Sequence, residues 1–230
     1  MYSAKVRENL PRVEERIAGA LARVGRSDPV GIVAVTKTHP AEAVRAALAA
    51  GLRSIGENRV QELDAKVAEV GRDAADWHLI GHLQRNKVRR ALALFDLIES
   101  IDSYRLAAEL SGEAERQGRE VEGLVEINVS GEPTKSGFSP EEALDAVAAV
   151  AALPRLHVRG LMTIGPLTDD LGAIRAAFVR MRRLYEDARA VPGFEARWLS
   201  MGMSGDFEVA VAEGSNLVRL GTVLFGERLT

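Results

Sequence analysis

Eight short apolar segments alternate with longer amphipathic segments along a chain of 230 residues. The apolar segments predict strands over 31–36, 52–55, 77–80, 96–99, 123–129, 157–162, 197–200 and 217–220. Helices are predicted between them over 40–50, 58–70, 84–94, 103–117, 139–152, 169–190 and 205–213. Strands that alternate with helices pair in parallel through right-handed crossovers. Since eight such units close a (β/α)8 TIM barrel, the sequence predicts this α/β fold, with an open doubly wound sheet as the alternative.

An additional amphipathic helix is predicted at the amino terminus. Apolar residues recur there at steps of three and four, namely Val6, Leu10, Val13, Ile17, Leu21 and Val24, and Gly25 ends the pattern. Only residues 221–230 follow the last predicted strand, which leaves no room for a full eighth helix. We therefore expect the amino-terminal helix to cover that side of the barrel, and residues 1–230 to form a single domain.

Several helix starts have clear capping signals. Ser103 is a predicted N-cap. The run Ser139, Pro140, Glu141 and Glu142 predicts a cap, a proline at the first helical position and an acidic first turn.

Composition restricts the classes of partner. The net charge of −3 gives no overall attraction to nucleic acid or to an anionic membrane. The chain has no cysteine, which excludes disulfides, thiol catalysis and thiolate metal sites. No apolar segment approaches the roughly 20 residues that span a bilayer, and the charged amino terminus does not resemble a signal peptide. We expect a cytoplasmic protein that binds neither nucleic acid nor membrane, and a monomer, with a dimer as the alternative.

Lys37 follows an apolar and β-branched run over 31–36, which predicts a strand buried on both faces. The other four lysines occupy less unusual positions, with Lys5, Lys66 and Lys87 on charged helical stretches and Lys135 in a polar loop. Partial desolvation at the end of a core strand lowers the pKa of a lysine and frees its amine as a nucleophile that forms Schiff bases. The alternative is a strand-end lysine that simply reaches solvent.

Small residues follow the last two predicted strands. Ser204 lies in a glycine-rich turn that leads into a helix near Asp206, and Gly221 and Thr222 follow the eighth strand. Backbone N–H groups in such turns bind phosphate, and barrels commonly hold phosphate between these two loops. The alternatives are an ordinary helix cap at Ser204 and an ordinary turn at Gly221.

An aldehyde-reactive amine beside a phosphate site indicates pyridoxal 5′-phosphate. Alternation along the eighth strand places Arg219 on the same face as Leu217, which can be the barrel interior. A guanidinium there donates a hydrogen bond to a neutral pyridine nitrogen but gives it no proton. A salt bridge at the barrel rim is the alternative for Arg219.

The histidines carry little functional signal. We expect His78 and His157 to be packed or solvated, and His39 and His82 to lie near the mouth of the barrel. Their spacing requires no metal, and we predict no metal site.

Seven segments together resemble the YggS/PROSC family of pyridoxal 5′-phosphate homeostasis proteins. The segments are 34–38, 56–58, 78–87, 135–138, 159–162, 199–206 and 218–222 with 225–226. That family is similar to the amino-terminal barrel of alanine racemase, a fold-type III pyridoxal-phosphate domain. The one departure is Gly205, where members often carry an acid.

The resemblance implies a role for each matched site residue. Lys37 would hold the cofactor as an internal aldimine, and Asn58 would lie beside it. Phosphate contacts are implied near Ser204, Gly221 and Thr222. Ser200 lies in the same matched segment as Ser204 and is a further candidate for the cofactor site. Arg219 would lie at the pyridine nitrogen.

The resemblance also implies a function without a firm catalytic activity. Such proteins buffer or deliver pyridoxal phosphate, with apo forms of pyridoxal-phosphate enzymes as recipients, and influence amino-acid pools. The alternative is a pyridoxal-phosphate-dependent amino-acid racemase. Racemases of this fold take a second base, a tyrosine, from an additional carboxyl-terminal domain, which we expect this chain to lack. Tyr2, Tyr104 and Tyr185 are predicted to be helical surface or packing residues, so we expect a cofactor carrier rather than an enzyme.

Overall fold

Eight parallel strands close into a barrel in sequence order in the computed structural model, which describes residues 1–227. The closed barrel confirms the (β/α)8 prediction over the open sheet. The strands are β1 Gly31–Val35, β2 Ser54–Glu57, β3 Asp76–Leu79, β4 Leu97–Ile101, β5 Val121–Glu126, β6 Leu156–Met162, β7 Phe194–Ser200 and β8 Leu217–Leu220. The last three residues of the predicted 221–230 tail lie outside the described residues.

Helices surround the barrel on its outer face. They are α1 Tyr2–Arg23, α2 Ala41–Ala49, α3 Val60–Val70, α4 Val88–Leu94, α5 Tyr104–Gln117, α6 Ala143–Ala151, α7 Leu171–Ala188, α8 Phe207–Ala212 and α9 Thr222–Phe225. Short 3₁₀ turns cover Arg72–Ala74 and Arg85–Lys87. Helix α1 packs against α2, α8 and α9, as predicted for the side with no full eighth helix. Across residues 1–227, no helix combines the length and the apolar character needed to cross a membrane.

Several predicted element bounds differ from the structure, and two of the differences have identifiable reasons. Helix α6 begins at Ala143 rather than at Ser139, because Ser139 donates its hydroxyl to the Glu142 carboxylate at 2.7 Å and closes a separate turn. Strand β2 extends to Glu57 rather than ending at Ile55, since a cation from α3 pairs with the buried Glu57 carboxylate.

The barrel interior changes from apolar to polar toward the carboxyl ends of the strands. Leu97, Leu124 and Met162 form a small apolar cluster inside the barrel. Glu99 follows Leu97 by two residues on β4 and is fully buried, as is Ser200 at the end of β7. The polar layer therefore lies at the end of the barrel where α/β barrels bind their ligands.

Candidate functional site

The seven predicted site residues lie on one arc of the barrel mouth. Strands β7, β8, β1 and β2 are neighbours in that order, and each predicted residue is at or just beyond the carboxyl end of one of them. They are Lys37 after β1, Asn58 after β2, Ser200 and Ser204 at and after β7, and Arg219, Gly221 and Thr222 at and after β8. The fold thus groups residues that are up to 185 positions apart in the sequence.

Lys37 lies in a tight turn directly after β1 and is half-buried. Its neighbour Thr38 has a φ of 67°, a left-handed conformation that a β-branched residue rarely adopts. Two hydrogen bonds hold this turn: the Thr38 N–H donates to the Glu62 carboxylate, and the His39 N–H donates to the Thr36 carbonyl at 3.0 Å. Strained backbone of this kind persists only where its surroundings fix it, and it is concentrated at functional sites.

A buried ion pair lies under the Lys37 turn. The Lys66 ammonium donates to Glu57 Oε1 at 2.5 Å and to the Thr36 carbonyl at 2.6 Å, and the Thr36 hydroxyl donates to the same carboxylate. The Lys66 and Glu57 side chains are only 6% and 0% exposed. The ion pair therefore fixes the backbone one residue before Lys37. We call Thr36, Glu57 and Lys66 the Lys66 cluster.

Sequence reasoning placed Lys66 on a charged helical stretch, which α3 is, but missed its burial and this cluster. Lys66 lies on the buried face of α3, three residues after the fully buried Leu63. The sequence did contain a signal for this ion pair. Lys66 lies on the apolar stripe of its helix, and the preceding strand ends in a glutamate, Glu57. Burial raises the pKa of Glu57 above its ordinary value, although the Lys66 charge and hydrogen bond oppose that rise.

Aromatic side chains hold the other side of the turn. His39 is buried, and its Nδ1 lies 3.2 Å from the Tyr2 hydroxyl of α1. The His39 ring also lies 5.4 Å from the ring of Phe225 in α9. Contacts of this geometry stabilise aromatic clusters, so the first and last helices both contact the turn that carries Lys37.

Arg219 points into the barrel interior and is 4% exposed, which rules out the rim salt bridge. Its Nη1 donates to the Ser200 hydroxyl at 2.6 Å, and its Nη2 donates to the Thr163 carbonyl at 2.7 Å. Burial lowers the pKa of Arg219, whereas the charges of Glu99, Glu126 and Asp206 oppose that shift. The guanidinium remains a cation, because arginine is not deprotonated in proteins.

Glu99 provides the counter-charge inside the barrel. Its Oε1 lies 2.6 Å from His78 Nδ1, and its Oε2 accepts the Ser200 hydroxyl at 2.6 Å. Burial would raise the pKa of Glu99, but the hydrogen bond and charge of His78, the charge of Arg219 and the hydrogen bond from Ser200 together hold it below its ordinary value. His78 is therefore packed. From its position in the sequence it was expected to be either packed or solvated. We call His78, Glu99, Ser200 and Arg219 the Arg219 cluster.

Ser204 joins the loops that follow β7 and β8. Its hydroxyl oxygen accepts the N–H groups of Gly221 and Val223, both at 3.3 Å. A Cβ added to Gly221 would lie 3.3 Å from the Val35 carbonyl oxygen, so this loop approaches the end of β1 closely. Thr222 is exposed and begins α9, where the first N–H groups have no partner within the helix.

Asn58 has a buried side-chain oxygen without a hydrogen-bond partner among residues 1–227. The loop after β3 packs tightly on it, because a Cβ added to Gly81 would lie 2.7 Å from the Asn58 Cβ. An unpartnered buried acceptor is costly in a folded protein unless a ligand or water supplies the donor.

The opposite arc of the mouth contains acidic side chains after β4 and β5. Burial and the Asp102 charge raise the pKa of Glu126 to about 7, against the charges of Arg219 and His82. Lys135 donates to Glu132 at 2.6 Å and to the Gly165 carbonyl at 2.8 Å. Within the part of the chain that the structure describes, no three potential metal-binding side chains cluster together.

Fold and site geometry define a class of protein: an α/β barrel with a lysine on a fixed turn at its mouth and a cation in its interior. The family model for the alanine racemase N-terminal domain matches residues 9–229. A solved structure of alanine racemase from Clostridium difficile is similar in fold, with a TM-score of 0.76 at 16% identity, and the match covers 99% of this chain and 57% of that one.

Proteins of similar length give a more specific match. The pyridoxal phosphate homeostasis protein of Pseudomonas aeruginosa is 44% identical to this chain, and the match covers 97% of this chain and 96% of that protein. The protein of the same name from Aquifex aeolicus is 40% identical, and the match covers 96% of this chain and 97% of that protein. The structure of PipY from Synechococcus elongatus with pyridoxal phosphate bound matches with a TM-score of 0.79 at 39% identity, covering 91% of this chain and all of that one. The chain therefore belongs to the alanine racemase N-terminal domain family and, within it, to the pyridoxal phosphate homeostasis proteins.

Proposed function

We propose that residues 1–230 act as a single pyridoxal 5′-phosphate-binding unit that buffers the cofactor in the cytoplasm and delivers it to apo forms of pyridoxal-phosphate enzymes. The observation that carries the proposal is the fixed Lys37 turn, which lies between the Asn58 loop and the Gly221 loop on adjacent strands. Membership of the homeostasis family supports it, as does the cofactor bound in the related PipY structure. The protein acts as a monomer, with a dimer as the alternative.

The residues of the arc fit this cofactor. The Lys37 Nζ is the atom to which the aldehyde attaches as a Schiff base, with loss of water. Ser204, Gly221 and Thr222 hold the phosphate with a hydroxyl and backbone N–H groups at the first turn of α9. The buried Asn58 oxygen lacks a donor in the protein, which is consistent with a ligand that supplies one.

Arg219 makes the site better suited to holding the cofactor than to catalysis. When bound, pyridoxal phosphate supplies an electron sink, and that sink is strongest with a protonated pyridine nitrogen. Arg219 donates hydrogen bonds and cannot provide that proton. Ser200 and Glu99 fix the position of its guanidinium. We therefore propose a carrier rather than a racemase, since the likeness to alanine racemase concerns the fold alone.

Cofactor loading and transfer test the proposal. Pyridoxal phosphate added to the full chain should produce a visible absorption band, which Lys37→Ala removes and Lys135→Ala retains. An added apo-enzyme should then gain activity as the band declines. Amino-acid racemisation at an ordinary enzyme rate of about 1–10³ per second, or a band that survives in Lys37→Ala, would overturn it.

Ser204→Ala tests the phosphate contacts separately. Loss of a hydrogen bond to a charged group should weaken the retention of pyridoxal phosphate by about 1–3 kcal/mol. Pyridoxal, which lacks the phosphate, should bind weakly to both proteins in equilibrium dialysis. Equal affinity of the unaltered protein for the two compounds would contradict a phosphate site here.

A further inference from the structure

Helix α3 contacts the backbone on both sides of Lys37. The Lys66 ammonium donates to the Thr36 carbonyl at 2.6 Å, and the Thr38 N–H donates to the Glu62 carboxylate. The Thr36 carbonyl belongs to the peptide group before Lys37, and the Thr38 N–H belongs to the peptide group after it. Because peptide groups are planar, the orientations of these two groups set the φ and ψ of Lys37. Contacts from one helix therefore fix the direction in which the Lys37 side chain leaves the backbone.

The Lys66 ammonium connects these two contacts to each other. An ammonium has three donor hydrogens, and besides the Thr36 carbonyl the Lys66 Nζ lies 2.5 Å from Glu57 Oε1 and 3.4 Å from Glu62 Oε1. Glu62 Oε1 is also the atom that accepts the Thr38 N–H. The Lys66 and Glu62 side chains are 6% and 23% exposed, so solvent screens their pair less than a surface pair. We call Glu62 and Lys66 the Lys37 clamp.

The conformation of Thr38 shows why this turn needs to be held. Its φ of 67° lies in the left-handed region, which is costly for a β-branched residue and persists only where the surroundings impose it. Relaxation of this φ would require the neighbouring peptide groups to turn, including the group that follows Lys37. The bond from the Thr38 N–H to Glu62 opposes that movement at the residue where the strain lies.

Helix α3 also begins beside a second residue of the predicted cofactor site. It starts at Val60, two residues after Asn58, and the Leu63 N–H donates to the Arg59 carbonyl at 3.1 Å in its first turn. The same helix thus adjoins the Asn58 loop and holds the Lys37 turn. Its position relates these two parts of the barrel mouth to each other.

We propose that the Lys37 clamp positions the Lys37 amine for attack on the cofactor aldehyde. The inference rests on the proposed function and deepens it, because it names the residues that set the rate of cofactor capture. In that step the amine nitrogen bonds to the aldehyde carbon, and the aldehyde oxygen leaves as water with the two amine protons. Glu62 and Lys66 act through the backbone of the turn. A reacting group displaced by about 1 Å can react roughly a hundredfold more slowly.

Glu62→Ala in the full chain tests the proposal, since Glu62 is partly exposed and its loss leaves the buried ion pair in place. Stopped-flow mixing with pyridoxal phosphate should show the visible band forming roughly tenfold to a hundredfold more slowly than in the unaltered chain. Glu62→Gln retains an oxygen that can accept the Thr38 N–H and should restore most of the rate. Glu69→Ala is the matched control and should keep the unaltered rate, because Glu69 is an acid of the same helix in an exposed pair with Arg45 at 3.4 Å.

Pyridoxine 5′-phosphate separates positioning from a merely structural role. It has an alcohol in place of the aldehyde, so its binding is noncovalent only. Equilibrium dialysis should give similar affinities for the unaltered chain and for Glu62→Ala. An equal loss of this affinity and of the rate in Glu62→Ala, or an unchanged rate of band formation, would overturn the proposal alone. Absence of a band in the unaltered chain would overturn the proposed function and this inference with it.

Discussion

Two buried carboxylates lie below the mouth of the barrel, and their surroundings differ. Glu57 of the Lys66 cluster lies between the barrel wall and α3, and one of its oxygens has no hydrogen-bond partner among the described residues. Glu99 of the Arg219 cluster lies inside the barrel, where both of its oxygens are hydrogen-bonded. The pKa of Glu57 is raised by burial, whereas the donors around Glu99 more than offset burial and lower its pKa.

Both side chains are fully buried, so burial alone does not set the direction of these pKa shifts. Glu126 is also buried, and its pKa rises to about 7. Only the charges of Arg219 and His82 counteract the effects of burial and of the Asp102 charge on that pKa. The two clusters also act on different parts of the site. The Lys66 cluster holds the backbone of the Lys37 turn, and the Arg219 cluster holds a side chain that would face the cofactor.

Breaking the Lys66 cluster should have the largest effect. Lys66→Met leaves the Glu57 carboxylate buried without a cation and should lower the free energy of unfolding by about 3–5 kcal/mol in urea titrations. The same substitution in a Glu57→Gln background should cost much less, because no buried charge remains unpaired. A loss below about 1 kcal/mol in the single variant would mean that the cluster contributes no more than a surface pair.

The pH dependence of stability should reveal the poorly solvated Glu126. Its pKa is raised in the folded protein, so its contribution to stability is complete below its ordinary value of 4.5 and is lost as the pH rises through about 7. Over that window the unaltered protein should lose about 3 kcal/mol relative to Glu126→Gln. Parallel stability curves for the two proteins in urea titrations from pH 5 to pH 8 would contradict the raised pKa.

Weakening the Arg219 cluster should have the smallest effect of the three. Glu99→Gln retains the shape of the side chain but removes its charge, and should lower the free energy of unfolding by about 1–3 kcal/mol. Glu109→Gln is the matched control, because Glu109 forms only an exposed pair with Arg116 at 3.2 Å and should cost less than about 0.5 kcal/mol. An equal effect of the two substitutions would show that Glu99 is not needed to hold Arg219.

The sequence predicts the barrel well, because alternating strand and helix patterns determine the pairing. It also predicts the arc of the site, since the carboxyl ends of parallel strands must meet at one end of a barrel. It does not predict the Lys66 cluster or the role of Glu99. Both depend on a charged residue finding its counter-charge on another element, and neither partner is visible from local periodicity. The start of α6 was misplaced for a similar reason, because Ser139 and Glu142 bond to each other outside the helix.

Borohydride trapping followed by peptide mass mapping tests the central claim most directly, since the reagent reduces a carbon–nitrogen double bond to a stable adduct. The protein loaded with pyridoxal phosphate and then reduced should carry the pyridoxyl group on the peptide that contains Lys37. Lys66 should remain unmodified because its ammonium is buried against Glu57 and Thr36. An adduct on Lys135 or another lysine with Lys37 unmodified would contradict the assignment of Lys37 and the role given to the turn that holds it.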